Sequence, residues 1–527
     1  MRRTERRERA QTPLTPAERP GHSAIMASRS RTPVLATTLL LAATVAPALA
    51  GSQVIRVCNG STSRCPPGTQ FKTISQAIRR AKQGDWVLVW PGVFHEKGSA
   101  QAGVLITTPN VHLRGLDRNL VIVDGSNGTA AKPCPSAKAL QDFTARNGIE
   151  AFKVDGVSIE NLTVCNYLAN PEEGNEIWWN GGDGSGTIGM GSYSGGYLTA
   201  TSMYYESPSS PMAMYGIFAS NAKGPGTIAY SYASNMGDSD FYVGACPDCN
   251  AVLSHVHAQN SALGYSGTNA GGHLRIEDSE WDHNKTGIVP SSLNNDDAPP
   301  PQSGLCPDGT GSCTFIQRNW VHDNNNPNAP AAGIAGEAPV GTGIELVGGM
   351  FDTIQDNLVE NQGAWGIVIH DYPDDETPPP IATCQGGTQR GDVCFFNAKG
   401  NVVTRNQLAN NGFFGNPTNG DLANEASATP KNCFFGNTDP LGLTSDPPNI
   451  ESPAVDGPPC DQPGPGDSTV LLAELACAAG VTPCPPGSSY PGPTQVQMLP
   501  LARQGPMPDP CAGVPPNRWC PYTGPRS

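Results

Sequence analysis

A carboxylate and an imidazole stand near the ends of two short segments that both begin with Gly-Ile. Glu345 lies two residues after the glycine of its segment; His370 lies four residues after the glycine of the next, and Asp371 follows it. Such groups can act as a general acid and base, because their surroundings tune each pKa towards neutral pH. If the segments are neighbouring strands, a two-residue offset and the strand spacing place the Cβ atoms about 8 Å apart. Glu345, His370 and Asp371 are therefore the predicted catalytic residues, and a solvated surface pair is the alternative.

Aromatic residues offer a second kind of chemistry. Trp178 and Trp179 precede a glycine-rich stretch at 181–186, and Tyr242 lies in another short segment with strand-like alternation. Exposed aromatic rings can stack on sugar faces through apolar contact. Tyr242, Trp178 and Trp179 are therefore predicted to bind substrate. The alternative for the tryptophans is that they pack their segment onto the core.

Charge excludes some partners and leaves a metal open. The chain has 32 basic and 47 acidic residues; removing the first 50 residues, with eight Arg and three Glu, leaves 24 and 44, a net charge of about −20. Such a field repels nucleic acid and anionic membranes, so neither is an expected partner. No cofactor is required by the motifs, although Ca²⁺ is a candidate. His255 and His257 alternate with Val256 on one predicted strand and form a candidate metal pair.

A repeat organises these residues. Eight segments share an apolar residue and a second one five places on; they begin at Ile159, Leu198, Ile228, Leu253, Ile276, Ile316, Ile354 and Val403. The shortest intervals between them are 25 and 23 residues, which leaves room for short strands and turns but not for helices. A single unit of this kind cannot bury its apolar side alone, so stacked units must share a core. The repeat predicts an all-β, parallel solenoid.

Asparagine supports the same interpretation. Asn319, Asn357 and Asn406 each lie three residues after the first apolar position of their segments. Asn tolerates left-handed backbone angles and bonds to local backbone groups. Stacked coils would therefore align the three side chains in an internal amide ladder.

The ends of the chain differ from its middle. Residues 1–50 contain a basic start, an apolar stretch and the small-residue site Ala48-Leu-Ala50, which predicts a leader and a signal peptide and hence a secreted, extracellular protein. Residues 51–123 are predicted to form an N-terminal cap with an amphipathic helix and the first coil, and 124–436 the solenoid. The Cys/Pro/Gly-rich segment 437–527 is predicted to be a C-terminal extension, with one short helix at 470–479. We expect a monomer.

The sixteen cysteines all follow Ala50 and fall into couples that are close in sequence, which predicts local disulfides in an oxidising compartment. The couples are Cys58/Cys65, Cys134/Cys165, Cys246/Cys249, Cys306/Cys313, Cys384/Cys394, Cys433/Cys460, Cys477/Cys484 and Cys511/Cys520. A metal or redox site at the CxxC of Cys246 and Cys249 is the rival interpretation.

The run TISQAI, GDWVLVWPGVFHE and VHLRGLDRNLVIVDG, together with the repeat, resembles the pectin-lyase-like right-handed parallel β-helix superfamily over roughly residues 70 to 411. The resemblance implies that polysaccharide binds along an outer strand face, between loops at 166–197, 289–314, 325–341 and 372–399. Residues 237–244 resemble the Gly-x-x-Asp-Phe-x-x-Gly box of pectin methylesterases, which would make Asp240 a nucleophile, but the companion Gln-Asp-Thr box is missing.

Two function classes follow from this resemblance. One is a secreted lyase, hydrolase or epimerase that acts on a glycan. The other is a non-catalytic surface protein that binds a glycan. Long loops beside one face and the Glu345, His370 and Asp371 group favour the enzyme. The missing catalytic boxes of known families and the acidic charge favour the binding protein.

Overall fold

The computed structural model of the protein describes residues 52–169, 174–294, 314–374, 384, 386–451 and 466–521. In this part of the chain, three long parallel sheets wind around a common core and contain twelve, ten and eleven strands. We call them sheets A, B and C, in the order in which each coil visits them. The protein is thus an all-β, right-handed parallel β-helix, as predicted. The predicted leader and signal peptide at 1–50 lie outside the described residues.

Sheet A consists of Val54–Val57, Trp86–Val89, His112–Gly115, Val157–Glu160, Tyr193–Gly196, Gly226–Ala229, Ala251–Ser254, Leu274–Glu277, Thr314–Gln317, Thr353–Gln355, Val402–Thr404 and Cys433–Phe435. Sheet B consists of Gly92–Phe94, Val121–Asp124, Thr163–Cys165, Thr199–Thr201, Tyr232–Ser234, His257–Gln259, Glu280–Asp282, Trp320–His322, Leu358–Glu360 and Gln407–Ala409. Sheet C consists of Ala102–Ile106, Asn147–Phe152, Ile177–Asn180, Tyr215–Ser220, Ser239–Gly244, Leu263–Thr268, Thr286–Ser291, Thr342–Val347, Trp365–His370, Gly420–Asn424 and Ser445–Asp446.

A fourth, three-stranded antiparallel sheet is built from Tyr372–Asp374, Thr388–Arg390 and Val393–Phe396. Two short 3-10 helices lie at Lys138–Leu140 and Ile334–Glu337. No helix of the described residues is long and apolar enough to cross a membrane.

Alternate residues of the sheet C strands point into the core, as expected for the Ile of each Gly-Ile segment. One stack is fully buried and consists of Ile149, Ile177, Ile217, Phe241, Tyr265, Ile288, Ile344, Ile367 and Leu422. Burial of each such side chain contributes about 1.5–3 kcal/mol, so the stack both holds the coils together and fixes which residues face outward.

The glycines that precede these core residues are required by close packing between coils. A Cβ added at Gly264, Gly287, Gly343 or Gly366 would lie 2.7, 2.4, 2.6 or 2.6 Å from a carbonyl oxygen of the following coil. Real Cβ atoms do not approach an oxygen so closely, so any other residue at these positions would prevent the coils from stacking. The recurrent Gly-Ile pattern is therefore a consequence of the stacking.

The amide ladder is confirmed and is one coil longer than predicted. Asn319 Nδ2 donates to Asn357 Oδ1 (3.0 Å), Asn357 Nδ2 donates to Asn406 Oδ1 (2.9 Å), and Asn406 Nδ2 donates to Asn437 Oδ1 (2.8 Å). The left-handed residue of each turn is the one before the asparagine; Asp356, for example, has φ 56°. The asparagines are therefore selected for their hydrogen bonds and not for their backbone angles.

The predicted loop at 166–197 instead contains strands of a further coil, Ile177–Asn180 in sheet C and Tyr193–Gly196 in sheet A. The sequence repeat aligns Leu198 with Ile159, but in the sheets Leu198 is the counterpart of Leu162, and Gly195 that of Ile159. The repeat is therefore three residues out of register in this coil. Gly195 is required because a Cβ there would lie 2.6 Å from the Trp179 ring. The indole thus fills the space that isoleucine occupies in neighbouring coils.

The N-terminal cap contains the predicted helix, α1 (Ile74–Ile78). Ile74, Ala77, Ile78 and Ala81 are buried and join the main core. The helix is only five residues long, and the Thr73 side chain caps its first turn. It therefore covers the open end of the core, as the amphipathic pattern predicted.

The C-terminal segment packs along the solenoid. Pairing within sheet C continues to Ser445–Asp446, past the predicted boundary at 436. The predicted helix is present as α2 (Ser468–Ala479), with Asp467 at its N-cap. Residues 494–520, the C-terminal strap, then run back from the late coils to the first one. Arg114 donates to Ala512 O (2.6 Å), Asn119 Nδ2 to Gln504 O (3.0 Å), and Asn260 Nδ2 to Gln497 O (2.8 Å).

Asn235 fastens the centre of the strap. Its Nδ2 donates to Leu499 O (2.9 Å) and to Ser202 O (2.7 Å), and its Oδ1 accepts from Leu499 N (2.9 Å). The side chain is 1% exposed. The extension is thus bonded to coils that are far from it in sequence.

Six of the predicted disulfides are present: Cys58–Cys65, Cys134–Cys165, Cys246–Cys249, Cys384–Cys394, Cys477–Cys484 and Cys511–Cys520. The disulfide between Cys246 and Cys249 excludes the rival metal site at the CxxC. Cys306, Cys313 and Cys460, which belong to the other two predicted pairs, lie outside the described residues.

Candidate functional site

The outer face of sheet C carries three aromatic side chains on successive coils. Trp178 pairs with Phe218, and Phe218 with Tyr242, so the three side chains form one row along the solenoid axis. The Trp178 and Phe218 rings are stacked with centroids 4.9 Å apart, and the Phe218 and Tyr242 rings meet edge to face at 4.5 Å. We call these three residues the aromatic row. Two of the predicted substrate-binding residues, Trp178 and Tyr242, thus belong to one surface.

One hydrogen bond anchors the aromatic row, and a buried polar cluster borders it. Trp178 Nε1 donates to Ser220 Oγ (3.1 Å). On the preceding coil the buried carboxylate of Glu150 accepts hydrogen bonds from Gln101 Nε2 (2.7 Å) and Asn180 Nδ2 (2.9 Å). Trp178 and Phe218 are half-buried, whereas Tyr242 is 7% exposed. The exposed part of the row is therefore its Trp178 and Phe218 end.

Trp179 does not belong to this surface, so its prediction as a substrate-binding residue is wrong. The side chain is 0% exposed, and its Nε1 donates to Val157 O inside the core (3.2 Å). Successive residues of a strand point to opposite faces, so only one tryptophan of the pair can face outward. The alternative, that a tryptophan packs its segment onto the core, holds for Trp179.

Glu345 and His370 meet as their spacing predicted. His370 Nε2 lies 3.0 Å from Glu345 Oε1, and the two side chains come from successive coils two residues out of step. Burial disfavours the imidazolium form of His370, but the Glu345 carboxylate and the Asp371 carbonyl outweigh burial and raise its pKa above the usual value. The carboxylate thus favours the protonated form of the imidazole.

Asp371 joins this pair only through its main chain. His370 Nδ1 lies 2.8 Å from the Asp371 carbonyl oxygen. The Asp371 carboxylate accepts from Asn397 Nδ2 (2.6 Å) and from Ala398 N (2.8 Å). Its side chain therefore holds the end of the antiparallel sheet and does not point at the imidazole.

The Glu345–His370 pair is covered by other parts of the chain. Glu345 is 4% exposed and His370 9% exposed. Leu471 and Leu475 of α2 pack on the neighbouring outward residues Val368 and Ala423, while Ala335 of the 325–341 loop packs beside Val347.

Lys285 joins the two covering segments. Its Nζ donates to Gly336 O (2.6 Å) and to Ala479 O at the end of α2 (3.3 Å), and burial lowers its pKa to about 8. A polysaccharide cannot reach Glu345 and His370 while both segments are in place.

A denser group of titratable residues lies on the outer face of sheet B. His257 Nε2 lies 2.5 Å from Asp282 Oδ1, and His283 Nδ1 contacts Asp282 Oδ2. His322 Nε2 lies 3.4 Å from Glu280 Oε1. Beside these residues is an open depression of about 430 Å³, lined by His255, Val256, His257, Asp278, Ser279, Glu280, Arg318 and Trp320.

The sequence interpretation missed Glu280, Asp282 and Trp320. The signal was available in the 23-residue interval between the segments at 253 and 276, which places Glu280 directly above His257. The apolar spacing identifies the coils through the first strand of each segment, whereas these three residues lie on the second strand.

His255 and His257 do not form the candidate metal pair. His255 lies at the turn between sheets A and B with φ 53°, and its ring stacks on Tyr230 at 4.8 Å. The left-handed turn interrupts the alternation on which that prediction depended. His257 instead faces Glu280 and Asp282.

Asp240 is inaccessible, so it is not the nucleophile that the resemblance to the esterase box would imply. It is 0% exposed, and its Oδ1 accepts from Ser261 Oγ (2.6 Å). Burial raises its pKa well above the usual value. The carboxyl group is thus enclosed beneath the turn between sheets B and C.

No protein-family model matches the sequence, and no curated protein matches it. Among solved structures, the chain is similar to the A-module of the mannuronan C-5 epimerase AlgE4 from Azotobacter vinelandii, with 11% identity, 71% of this chain and 90% of that chain covered, and a TM-score of 0.41. It is also similar to the GH136 lacto-N-biosidase from Eubacterium ramulus, with 11% identity, coverage of 73% and 64%, and a TM-score of 0.42.

A further similar structure is a mannuronic acid specific polysaccharide family 6 lyase from human gut microbiota, with 13% identity, coverage of 68% and 77%, and a TM-score of 0.38. The parallel pairing of sheets A, B and C itself carries the assignment of the fold. By that pairing, the chain folds as a right-handed parallel β-helix.

Proposed function

We propose that this protein binds polysaccharide along the outer face of sheet C, with the aromatic row as the contact surface. The observation that carries the proposal is the register of Trp178 with Phe218 and of Phe218 with Tyr242 on successive coils. Aromatic rings offer apolar faces and edges that match the CH-rich faces of sugars. Thr268 and Ser291, half-buried on the next two coils, extend this face with hydroxyl groups.

The charge of the chain selects the class of polysaccharide. With about 20 more acidic than basic residues after position 50, the protein repels polyanions. A neutral glycan encounters no such barrier, whereas a uronate polymer needs a bridging cation such as Ca²⁺. We therefore expect neutral glycans to bind better than uronates when Ca²⁺ is absent.

The test is a binding screen of the secreted chain against neutral and uronate polysaccharides, with and without Ca²⁺, by affinity electrophoresis and calorimetry. Trp178→Ala should weaken binding of the best ligand at least tenfold, about 1.4 kcal/mol, because it removes the most exposed end of the row. Phe413→Ala, at an aromatic side chain that is 51% exposed elsewhere, is the matched control and should bind as the wild type does. The proposal is wrong if no glycan binds, or if both variants lose affinity equally.

Catalysis by Glu345, His370 and Asp371 is the second candidate function. The 3.0 Å contact between imidazole and carboxylate favours it, and so does the pKa of His370, which the Glu345 carboxylate raises above its usual value. Turnover at this pair requires α2 to leave the outer face of sheet C. New reducing ends or unsaturated products in the glycan screen would support catalysis, and a Glu345→Gln, His370→Ala double variant with full activity would exclude these residues.

A further inference from the structure

We propose that the outer face of sheet B carries a transition-metal site formed by His257, Glu280 and Asp282. Each of the three residues offers one ligand atom, and these atoms all lie within 4.8 Å of one another. A tetrahedral ion with bonds of ~2.0–2.1 Å holds its ligands about 3.4 Å apart, so small side-chain rotations are sufficient to close the site. The inference is independent of the proposed glycan surface, which lies on sheet C.

The backbone holds the ligands on a rigid frame. His257 and Glu280 are direct partners in parallel sheet B, and Asp282 lies two residues beyond Glu280 on the same strand and face. The ligands therefore come from two hydrogen-bonded strands and not from loops. Sites on regular elements hold ligand geometry more precisely than sites on loops do.

The site combines a buried anchor with two accessible ligands. The Asp282 side chain is 5% exposed, whereas those of His257 and Glu280 are 32% and 37% exposed. Both Asp282 oxygens contact a histidine ring, Oδ1 that of His257 and Oδ2 that of His283. The anchor is thus held in place from two sides, and the ligands on the rim open into the depression.

The surrounding groups resemble the outer shell of a metal centre. Gln259 Nε2 donates to the second oxygen of Asp282 (3.0 Å), which fixes the orientation of that carboxylate. His322, on the next coil, lies 3.4 Å from Glu280 and can supply a fourth ligand. His257 and Glu280 also line the 430 Å³ depression, so water or a small ligand can take the fourth place instead of His322.

The ligand types select the ion. One imidazole and two carboxylates suit Zn²⁺ and other first-row divalent ions, whereas Ca²⁺ prefers six to eight oxygen ligands. Two carboxylates with a neutral imidazole carry a net charge of −2, which a divalent cation neutralises. We therefore expect Zn²⁺ to bind and Ca²⁺ not to compete at equal concentration.

The alternative to a metal site is a histidine–carboxylate network that is complete without an ion. In that case the hydrogen bonds of the His257 and His283 rings to Asp282 satisfy its carboxylate, and no ion is needed. The two accounts differ in stoichiometric metal affinity.

The test is titration of the untagged secreted chain, first dialysed against a chelator, with Zn²⁺ by calorimetry and with Co²⁺ by visible absorption. We expect one tight Zn²⁺ per chain and cobalt bands typical of a low-coordinate site. His257→Ala and Glu280→Gln should each weaken Zn²⁺ binding at least tenfold. His273→Ala is the matched control, because His273 is an exposed histidine 2.9 Å from a carboxylate oxygen of Asp248, outside the site.

The outcomes are distinct. If Zn²⁺ does not bind stoichiometrically, or if His257→Ala and Glu280→Gln bind it as tightly as His273→Ala does, the site does not exist. Circular dichroism checks that each variant folds, and His257→Gln, which retains a polar side chain, replaces the alanine variant if that one does not. Because no glycan is present, failure here leaves the glycan proposal unaffected, and the reverse also holds.

Discussion

Replacement of Asp352 by asparagine should stabilise the protein in a strictly pH-dependent way. Asp352 is 2% exposed and occupies the place that Asn401 and Asn432 hold on the following two coils. Its Oδ1 accepts from Thr314 N (3.0 Å), and its own N–H donates to Asn401 Oδ1 (2.9 Å). Burial raises its pKa to about 7. The residue is thus an acid in a ladder of amides.

The sign and size of the effect follow from the difference between folded and unfolded pKa values. The folded state holds a proton on Asp352 up to about pH 7, whereas the unfolded chain releases it near pH 4, so stability falls as pH rises between these values. A shift of about 3 pKa units corresponds to about 4 kcal/mol lost above pH 7. An asparagine side chain at this position would retain the Oδ1 acceptor without the ionisation, so Asp352→Asn should recover most of this loss above pH 7 and little at pH 4.

The assay is urea unfolding followed by tryptophan fluorescence at pH 4, 6 and 8. The gain of Asp352→Asn over the wild type should grow from less than about 1 kcal/mol at pH 4 to about 4 kcal/mol at pH 8. Asp392→Asn, at an exposed aspartate in the turn of the antiparallel sheet, is the control and should show no such trend. A gain that is equal at all three pH values, or absent at pH 8, would refute the reasoning.

Three further substitutions test the packing of the coils, each by the urea midpoint. Gly287→Ala should lower the free energy of unfolding by about 2 kcal/mol or more, because the new Cβ would lie 2.4 Å from a carbonyl oxygen. Its control is Gly492→Ala, which should be neutral because no atom lies within 4 Å of the new Cβ. Equal midpoints for the two variants would contradict the stacking of the coils. Asn357→Ala should lower the free energy of unfolding by about 4 kcal/mol, because it removes four buried hydrogen bonds of the ladder. Asn410→Ala removes an exposed hydrogen bond and should lower it by less than about 0.5 kcal/mol. Similar losses would exclude a special role for the ladder. Asn235→Ala should lower the free energy of unfolding by about 3 kcal/mol and speed proteolytic cleavage of the C-terminal strap. An unchanged cleavage rate would show that Asn235 does not hold the strap in place.

The parts of the fold that were predictable are those in which one residue type recurs at one place in each coil. Asn319 and Asn357 repeat because a ladder needs the same amide on each level, and the glycines repeat because each faces a neighbouring carbonyl. Trp179 departs from this pattern, because its ring occupies the core space that an isoleucine fills in neighbouring coils. Position 195 must therefore be glycine, where those coils have an apolar residue. A coil in which a large residue on one strand is balanced by a glycine on another lacks the regular apolar spacing, so the spacing does not identify it.

The candidate sites were predictable only where the register was known. Glu345 and His370 were brought together by counting from the Gly-Ile starts, and they do meet. Their cover was not predictable, because α2 contacts distant coils without any periodic signal; Lys285 and Ala479, for example, are 194 residues apart. Asp282 and Glu280 were missed because their significance depends on His257 one coil below.

The central functional claim is that the aromatic row contacts a glycan, and hydroxyl-radical footprinting read by mass spectrometry tests it most directly. In the presence of a saturating neutral polysaccharide selected by the binding screen, oxidation of Trp178 and Phe218 should fall severalfold, while oxidation of Trp320, 42% exposed on sheet B, should not change. Unaltered oxidation of Trp178 in the saturated complex, or protection of Trp320 instead, would contradict the account.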